Sequence, residues 1–122
     1  MKILIADDSR VGRSYIERAL TIGGVSQESL ITAKNGQEAF EIIEKQGIEM
    51  LFLDINMPVL DGIQLVEKLH QNNKLASLKV IITSSLIDEN RKTLLESKGV
   101  KHFLKKPFSP EALNSVYQLL RG

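Results

Sequence analysis

Five short apolar runs recur along the chain: Lys2–Ala6, Leu30–Ala33, Met50–Leu53, Val80–Thr83 and His102–Leu104. Each is followed by a longer stretch with helical spacing. The first, third and fourth runs are almost unbroken Ile, Leu, Val, Phe and Met, as in strands buried on both faces of a parallel sheet. The intervening stretches place Val11, Tyr15, Ile16, Ala19 and Leu20 on one helical face, and Ala39, Phe40 and Ile43 on the next. Ile63, Val66 and Leu69 form a third face, Ile87, Leu94 and Leu95 a fourth, and Leu113, Val116, Tyr117 and Leu120 the last. Gly23-Gly24, Gly47 and Gly99 suit left-handed helix ends. Ser109-Pro110 opens the last helix with an N-cap and a proline at its first position. Five strand–helix repeats imply an α/β sandwich around a parallel sheet, and right-handed crossovers put helices on both of its faces. One such domain is expected to use residues 1–122, since a chain this short has no room for a second core.

Composition narrows the function classes. The absence of cysteine excludes disulfides, thiolate metal sites and cysteine catalysis. Met1-Lys2 leads into only four apolar residues before two aspartates, which is not a signal peptide, and no apolar run approaches the length of a bilayer span. A soluble, cytoplasmic protein without membrane insertion is expected. The net charge of +1 is too small for non-specific nucleic-acid binding, so no direct DNA contact is expected either. That figure conceals an asymmetry. Residues 1–61 carry six Lys or Arg against ten Asp or Glu, a net of −4, whereas residues 62–122 carry ten against five, a net of +5.

Ligands of such sheets bind beyond the carboxyl ends of the strands, near a topological switch point. Asp7 and Asp8 follow the first run and Asp54 ends the third. Taken singly, Asp7 or Asp8 would read as a helix cap and Asp54 as a strand end. If the first and third strands are neighbours, as in the flavodoxin-like order 2-1-3-4-5, the three carboxylates converge. Two charges about 4 Å apart at an effective dielectric of about 20 repel by roughly 4 kcal/mol. Three acids together therefore call for a cation. Oxygen-only ligands favour a hard ion, Mg²⁺ above all, with Mn²⁺ as a substitute. The same edge receives the hydroxyl of Thr83 and the ammonium of Lys106. Carboxylates, a cation, a hydroxyl and an ammonium are the parts that transfer of a phosphoryl group to a carboxylate needs.

Four blocks now stand in a recognisable order: Asp7-Asp8-Ser9, then Asp54-Ile55-Asn56-Met57-Pro58 with Asp61-Gly62, then Thr83-Ser84-Ser85, and finally Lys106-Pro107-Phe108. Together they resemble the receiver domain of two-component response regulators over essentially the whole chain, most closely the single-domain, chemotaxis-type members. The resemblance implies that Asp54 is the phosphoacceptor, charged by a sensor histidine kinase, a phosphotransfer protein or a small phosphodonor. It implies that Asp8, Asp54 and the backbone carbonyl of Asn56 hold Mg²⁺, with Asp7 acting through a metal-bound water. Lys106, the lysine immediately before the proline rather than Lys105, would pair with Asp54 and then with a phosphoryl oxygen, across a cis bond to Pro107. Thr83 and Phe103 would form the switch, and Asn56 and Ser85 would flank the water that hydrolyses the phosphoryl group. The domain would assist its own modification rather than turn over an external substrate.

Other classes share parts of this pattern. A flavodoxin-like electron carrier has the fold but needs a phosphate-cradling loop where this chain has Asp7-Asp8. A pseudo-receiver scaffold usually lacks an acidic residue or the lysine, and both are present. An aspartyl phosphatase would carry its nucleophile after the first strand in an Asp-x-Asp arrangement, which is missing here. For output, the basic residues Arg91, Lys92, Lys98, Lys101 and Lys105 cluster in sequence around Phe103, with no carboxylate in the segment 99–102 to answer Arg91 or Lys92. Self-pairing through such a face would bring like charges together at a two-fold axis. A mainly monomeric regulator that binds an acidic segment of a downstream protein is expected.

Overall fold

In the computed structural model, which describes all 122 residues, the apolar runs form one five-stranded parallel sheet. The strands are β1 (Ile3–Ala6), β2 (Leu30–Ala33), β3 (Met50–Asp54), β4 (Lys79–Ser84) and β5 (His102–Lys105), in the order β2-β1-β3-β4-β5. The helices are α1 (Arg10–Ile22), α2 (Gly36–Lys45), α3 (Gly62–Gln71), α4 (Glu89–Ser97) and α5 (Pro110–Leu120). The flavodoxin-like expectation is met, and no helix is long and apolar enough to cross a membrane.

Alternation along the strands divides the core. Leu4, Ala6, Leu51, Leu53, Val80 and Ile82 point to the face that carries α2, α3 and α4, while Ile3, Ile5, Met50, Phe52 and Ile81 point to α1 and α5. The three central strands, β1, β3 and β4, are buried on both faces apart from Lys79, which explains their unbroken apolar composition.

Short polar side chains begin every α-helix. Ser9, Asn35, Asp61, Asp88 and Ser109 each accept the backbone N–H three residues on, and Asp61 does so in a reciprocal capping box with Gln64. These caps fix where the chain turns at the carboxyl edge of the sheet, which is where the acidic residues lie.

Several details of the pattern fall differently from expectation. Val11 and Tyr15 are exposed at 80% and 41%, so only Ile16, Ala19 and Leu20 of that set form the buried face of α1. The five positions span too wide an arc for one contact. Gly24 and Gly99 are left-handed, at φ 105° and 103°, but Gly23 has φ −75° and Gly47 is not left-handed. Gln46 ends α2 in extended backbone instead, so no left-handed residue is needed there.

Close approach, rather than turn geometry, explains Gly62. A Cβ there would lie 2.6 Å from the carbonyl oxygen of Asp54 and 2.8 Å from Cα of Ile55, backbone atoms that cannot swing aside. Its N–H also donates to the Ile55 carbonyl at 2.9 Å. Gly62→Ala is therefore expected to destabilise the protein by about 1–3 kcal/mol, as overpacking does, although alanine is the better helix former. Urea unfolding measures this, and an unchanged or raised midpoint would contradict it.

Candidate phosphorylation site

β1 and β3 are hydrogen-bonded neighbours, with Ala6 opposite Leu53, so the residues that follow and end them meet at one edge. Carboxylate oxygens of Asp7, Asp8 and Asp54 lie within 4.8 Å of one another. Asp7 is fully buried, Asp54 is 7% exposed and Asp8 faces solvent. Ser9, not either aspartate, caps α1.

Asp7 is held from several directions. Its Oδ1 accepts the Ser9 N–H at 2.8 Å, and its backbone carbonyl accepts Arg13 Nη1 at 2.8 Å. Its Oδ2 accepts the Lys106 ammonium at 3.0 Å, while Asp54 Oδ2 lies 3.5 Å from the same nitrogen. The expected Lys106–Asp54 pair is thus present but is the longer of two. Burial alone would lower the Lys106 pKa, yet the hydrogen bond to Asp7 and the charges of both carboxylates outweigh it and raise the pKa. Lys105 is exposed at the end of β5, and the bond joining Lys106 to Pro107 is cis.

Asp54 behaves differently despite its ammonium neighbour. Burial disfavours its charged form and lifts its pKa to about 6. Lys106 pulls the value down, Asp7 pushes it up, and the Asn56 N–H pulls it down. Burial together with Asp7 wins.

β4 pairs with β3 so that Thr83 stands opposite Asp54. Thr83 is wholly buried and its hydroxyl finds no partner among the protein's own groups. Ser84 turns its hydroxyl onto the Leu86 carbonyl at 2.9 Å, whereas Asn56 and Ser85 are exposed. Phe103 is half-buried on β5 opposite Ile82, with the Lys92 ammonium 5.4 Å from its ring centre.

The basic residues do not form one patch. Lys92 and Lys105 line a cavity of about 300 Å³ beside Phe103, while Lys98, Lys101 and His102 line a separate one of about 520 Å³ with His70 and Lys79. Nor is Arg91 unanswered: its Nε lies 3.2 Å from Asp88, the cap of its own helix.

Three supports escaped the sequence reading: Gly12, whose Cβ position lies against the Asp7 carboxylate, Arg13, and the Tyr15 hydroxyl, which donates to the Phe108 carbonyl at 2.6 Å and ties the loop after Lys106 to α1. A glycine inside a helical pattern was the one available signal.

The family model for response regulator receiver domains matches residues 3–118. The chemotaxis protein CheY homologue of Campylobacter jejuni is 30% identical, over all of this chain and 93% of that protein. The structure of Vibrio cholerae chemotaxis protein CheY4 superposes with a TM-score of 0.86 at 26% identity, covering 98% of this chain and 97% of that one. The receiver domain of Francisella response regulator 1452 gives a TM-score of 0.85 at 30% identity, covering 98% and 94%.

The raised Asp54 pKa has a stability consequence. The folded state holds the Asp54 proton up to about pH 6, whereas an unfolded chain releases it near the ordinary carboxylate value of 3.8. This contribution is fully present below pH 3.8 and is lost as pH rises through about 6. Without divalent cations, Asp54→Asn is therefore expected to stabilise the protein at pH 7–8 by roughly 1–3 kcal/mol. It should also flatten the stability profile between pH 4 and 6. Melting curves in EDTA test this, and equal destabilisation by Asp54→Asn at every pH would contradict it.

Proposed function

The chain belongs to the response regulator receiver family, and on that premise we propose that Asp54 accepts a phosphoryl group in a Mg²⁺-dependent reaction and so switches a partner-binding face. The observation that carries the reading is the cluster itself: three carboxylates within 4.8 Å, set against a single ammonium.

These residues suit a hard divalent cation, since every donor is oxygen and the negative charge exceeds the positive. Asp8, Asp54 and the Asn56 carbonyl would hold Mg²⁺, or Mn²⁺ in its place, with Asp7 acting through water. When bound, the ion offsets the repulsion between the carboxylate and an incoming phosphoryl group. With a pKa of about 6, Asp54 is mostly ionised at neutral pH and is available as the nucleophile. Its oxygen forms the new bond to phosphorus while the bond from phosphorus to the donor histidine nitrogen breaks, and that nitrogen keeps the electron pair. Lys106 exchanges part of its pairing with Asp7 for a phosphoryl oxygen. The Thr83 hydroxyl, unpartnered beside Asp54, donates to another. Asn56 and Ser85, small and exposed, leave room for the water that later removes the phosphoryl group.

As a receiver domain the chain works in two-component signalling, between a histidine kinase and a downstream target. Its output would run through Thr83 and Phe103 to the surface formed by α4, β5 and α5. Lys92 and Lys105, which flank Phe103, suit an acidic segment of the target. Each exposed ion pair adds only up to about 1 kcal/mol, so charge here selects the partner more than it binds it. The domain would act mainly as a monomer.

Labelling with radioactive acetyl phosphate and Mg²⁺ tests the reading. Wild type should take up acid-labile phosphate, Asp54→Asn should take up none, and Asp8→Ala should bind Mg²⁺ at least tenfold more weakly and label more slowly. Equal labelling of Asp54→Asn, unchanged Mg²⁺ affinity in Asp8→Ala, or a label that persists for many hours at neutral pH would contradict it. Size measurement with beryllofluoride should still show a monomer, and a stable dimer would refute that part.

A further inference from the structure

Gly12 stands third in α1, where glycine is about 1 kcal/mol worse than alanine as a helix former. The place its side chain would fill is taken by the carboxylate of Asp7. A Cβ at position 12 would lie 2.5 Å from Asp7 Oδ2, 3.0 Å from its Cγ and 3.2 Å from its Oδ1. All three atoms belong to one short side chain, and its retreat would break the bonds that hold it. Asp7 is fully buried, and its two oxygens are engaged by the Ser9 N–H at 2.8 Å and the Lys106 ammonium at 3.0 Å. The helix is equally constrained. Ile16, Ala19 and Leu20 lie in the core, and Asn114 of α5 donates to the Ala19 carbonyl at 3.0 Å. Arg13, the next residue, grips the Asp7 carbonyl from the same helix at 2.8 Å.

We propose that Gly12 is a positioning residue for the acidic pocket: its missing side chain lets Asp7 sit directly against α1, where it holds Lys106. A side chain at position 12 would push the Asp7 carboxylate off the helix and into the space shared with Asp8 and Asp54. That shift would break the shorter of the two Lys106 pairs and crowd the oxygens that would receive a cation. The consequence for Mg²⁺ rests on the phosphoacceptor reading above, but the seating of Asp7 does not.

Two measurements on the full chain separate these claims. In EDTA, Gly12→Ala should melt below wild type, because the clash exceeds the gain in helix propensity. In an Asp7→Ala background the same substitution should raise the melting temperature, because only helix propensity remains. If Gly12→Ala alone does not fold, recovery of a cooperative melt in the double variant gives the same answer. Titration with Mg²⁺ should show at least a tenfold loss of affinity in Gly12→Ala, and acetyl phosphate labelling should slow with it. A higher melting temperature for Gly12→Ala in both backgrounds, or Mg²⁺ affinity equal to wild type, would overturn the proposal. If wild type itself neither binds Mg²⁺ nor takes up phosphate, the receiver reading fails instead. The melts in EDTA would then still decide whether Gly12 seats Asp7.

Discussion

The structure turns on an imbalance of charge at one edge of the sheet. Asp7, Asp8 and Asp54 bring carboxylate oxygens within 4.8 Å of each other, and Lys106 alone answers them. Burial makes the imbalance matter: Asp54 is lifted to about pH 6 although an ammonium lies 3.5 Å away. A fold driven only by stability would relieve this strain by replacing an acid or adding a base. Here the surroundings hold it in place instead. The caps at Ser9 and Asp61 fix the loops, Gly62 brings α3 against the Asp54 backbone, and Gly12 brings α1 against Asp7.

The pocket is wired to the surface through adjoining strands rather than through a long chain of contacts. Thr83 pairs with Asp54 on one side and with Leu104 on the other, and the preceding Ile82 pairs with Phe103. The Lys106 N–H donates to the Ser84 carbonyl at 2.8 Å, so the loop that carries the ammonium hangs from the strand that carries the hydroxyl. The Thr83 hydroxyl, buried without a partner among the protein's own groups, belongs to the residue opposite Asp54 in the β3–β4 ladder. Phe103, half-buried beneath the Lys92 ammonium, is the next large side chain towards solvent.

Much of this was legible in the sequence because strand ends are marked by abrupt changes in chemistry. Leu53 to Asp54, Ala6 to Asp7 and Leu104 to Lys105-Lys106-Pro107 each place a polar group at the end of an apolar run. Once parallel order is assumed, the runs converge on one edge, so the candidate site could be named before its geometry was seen. Side-chain orientation was less legible. Val11 and Tyr15 fit a helical stripe but lie beyond the arc that α5 and the sheet can cover. The five basic residues share a segment of sequence, yet a turn of chain sends Lys98 and Lys101 to the opposite end of the sheet from Lys105. Val59 shows the same limit for the backbone. Its φ of 70° is unusual for a β-branched residue, and no residue pattern signalled it. Preference between Asp7 and Asp54 for Lys106 depends on half an ångström, below what spacing can resolve.

A crystal structure with Mg²⁺ and beryllofluoride decides whether this pocket receives a phosphoryl group on Asp54. Beryllium should bond to an Asp54 oxygen, with the Thr83 hydroxyl and the Lys106 ammonium each within hydrogen-bond distance of a fluorine. Beryllofluoride absent from Asp54, or bound there with the Thr83 hydroxyl still unpartnered, would contradict it.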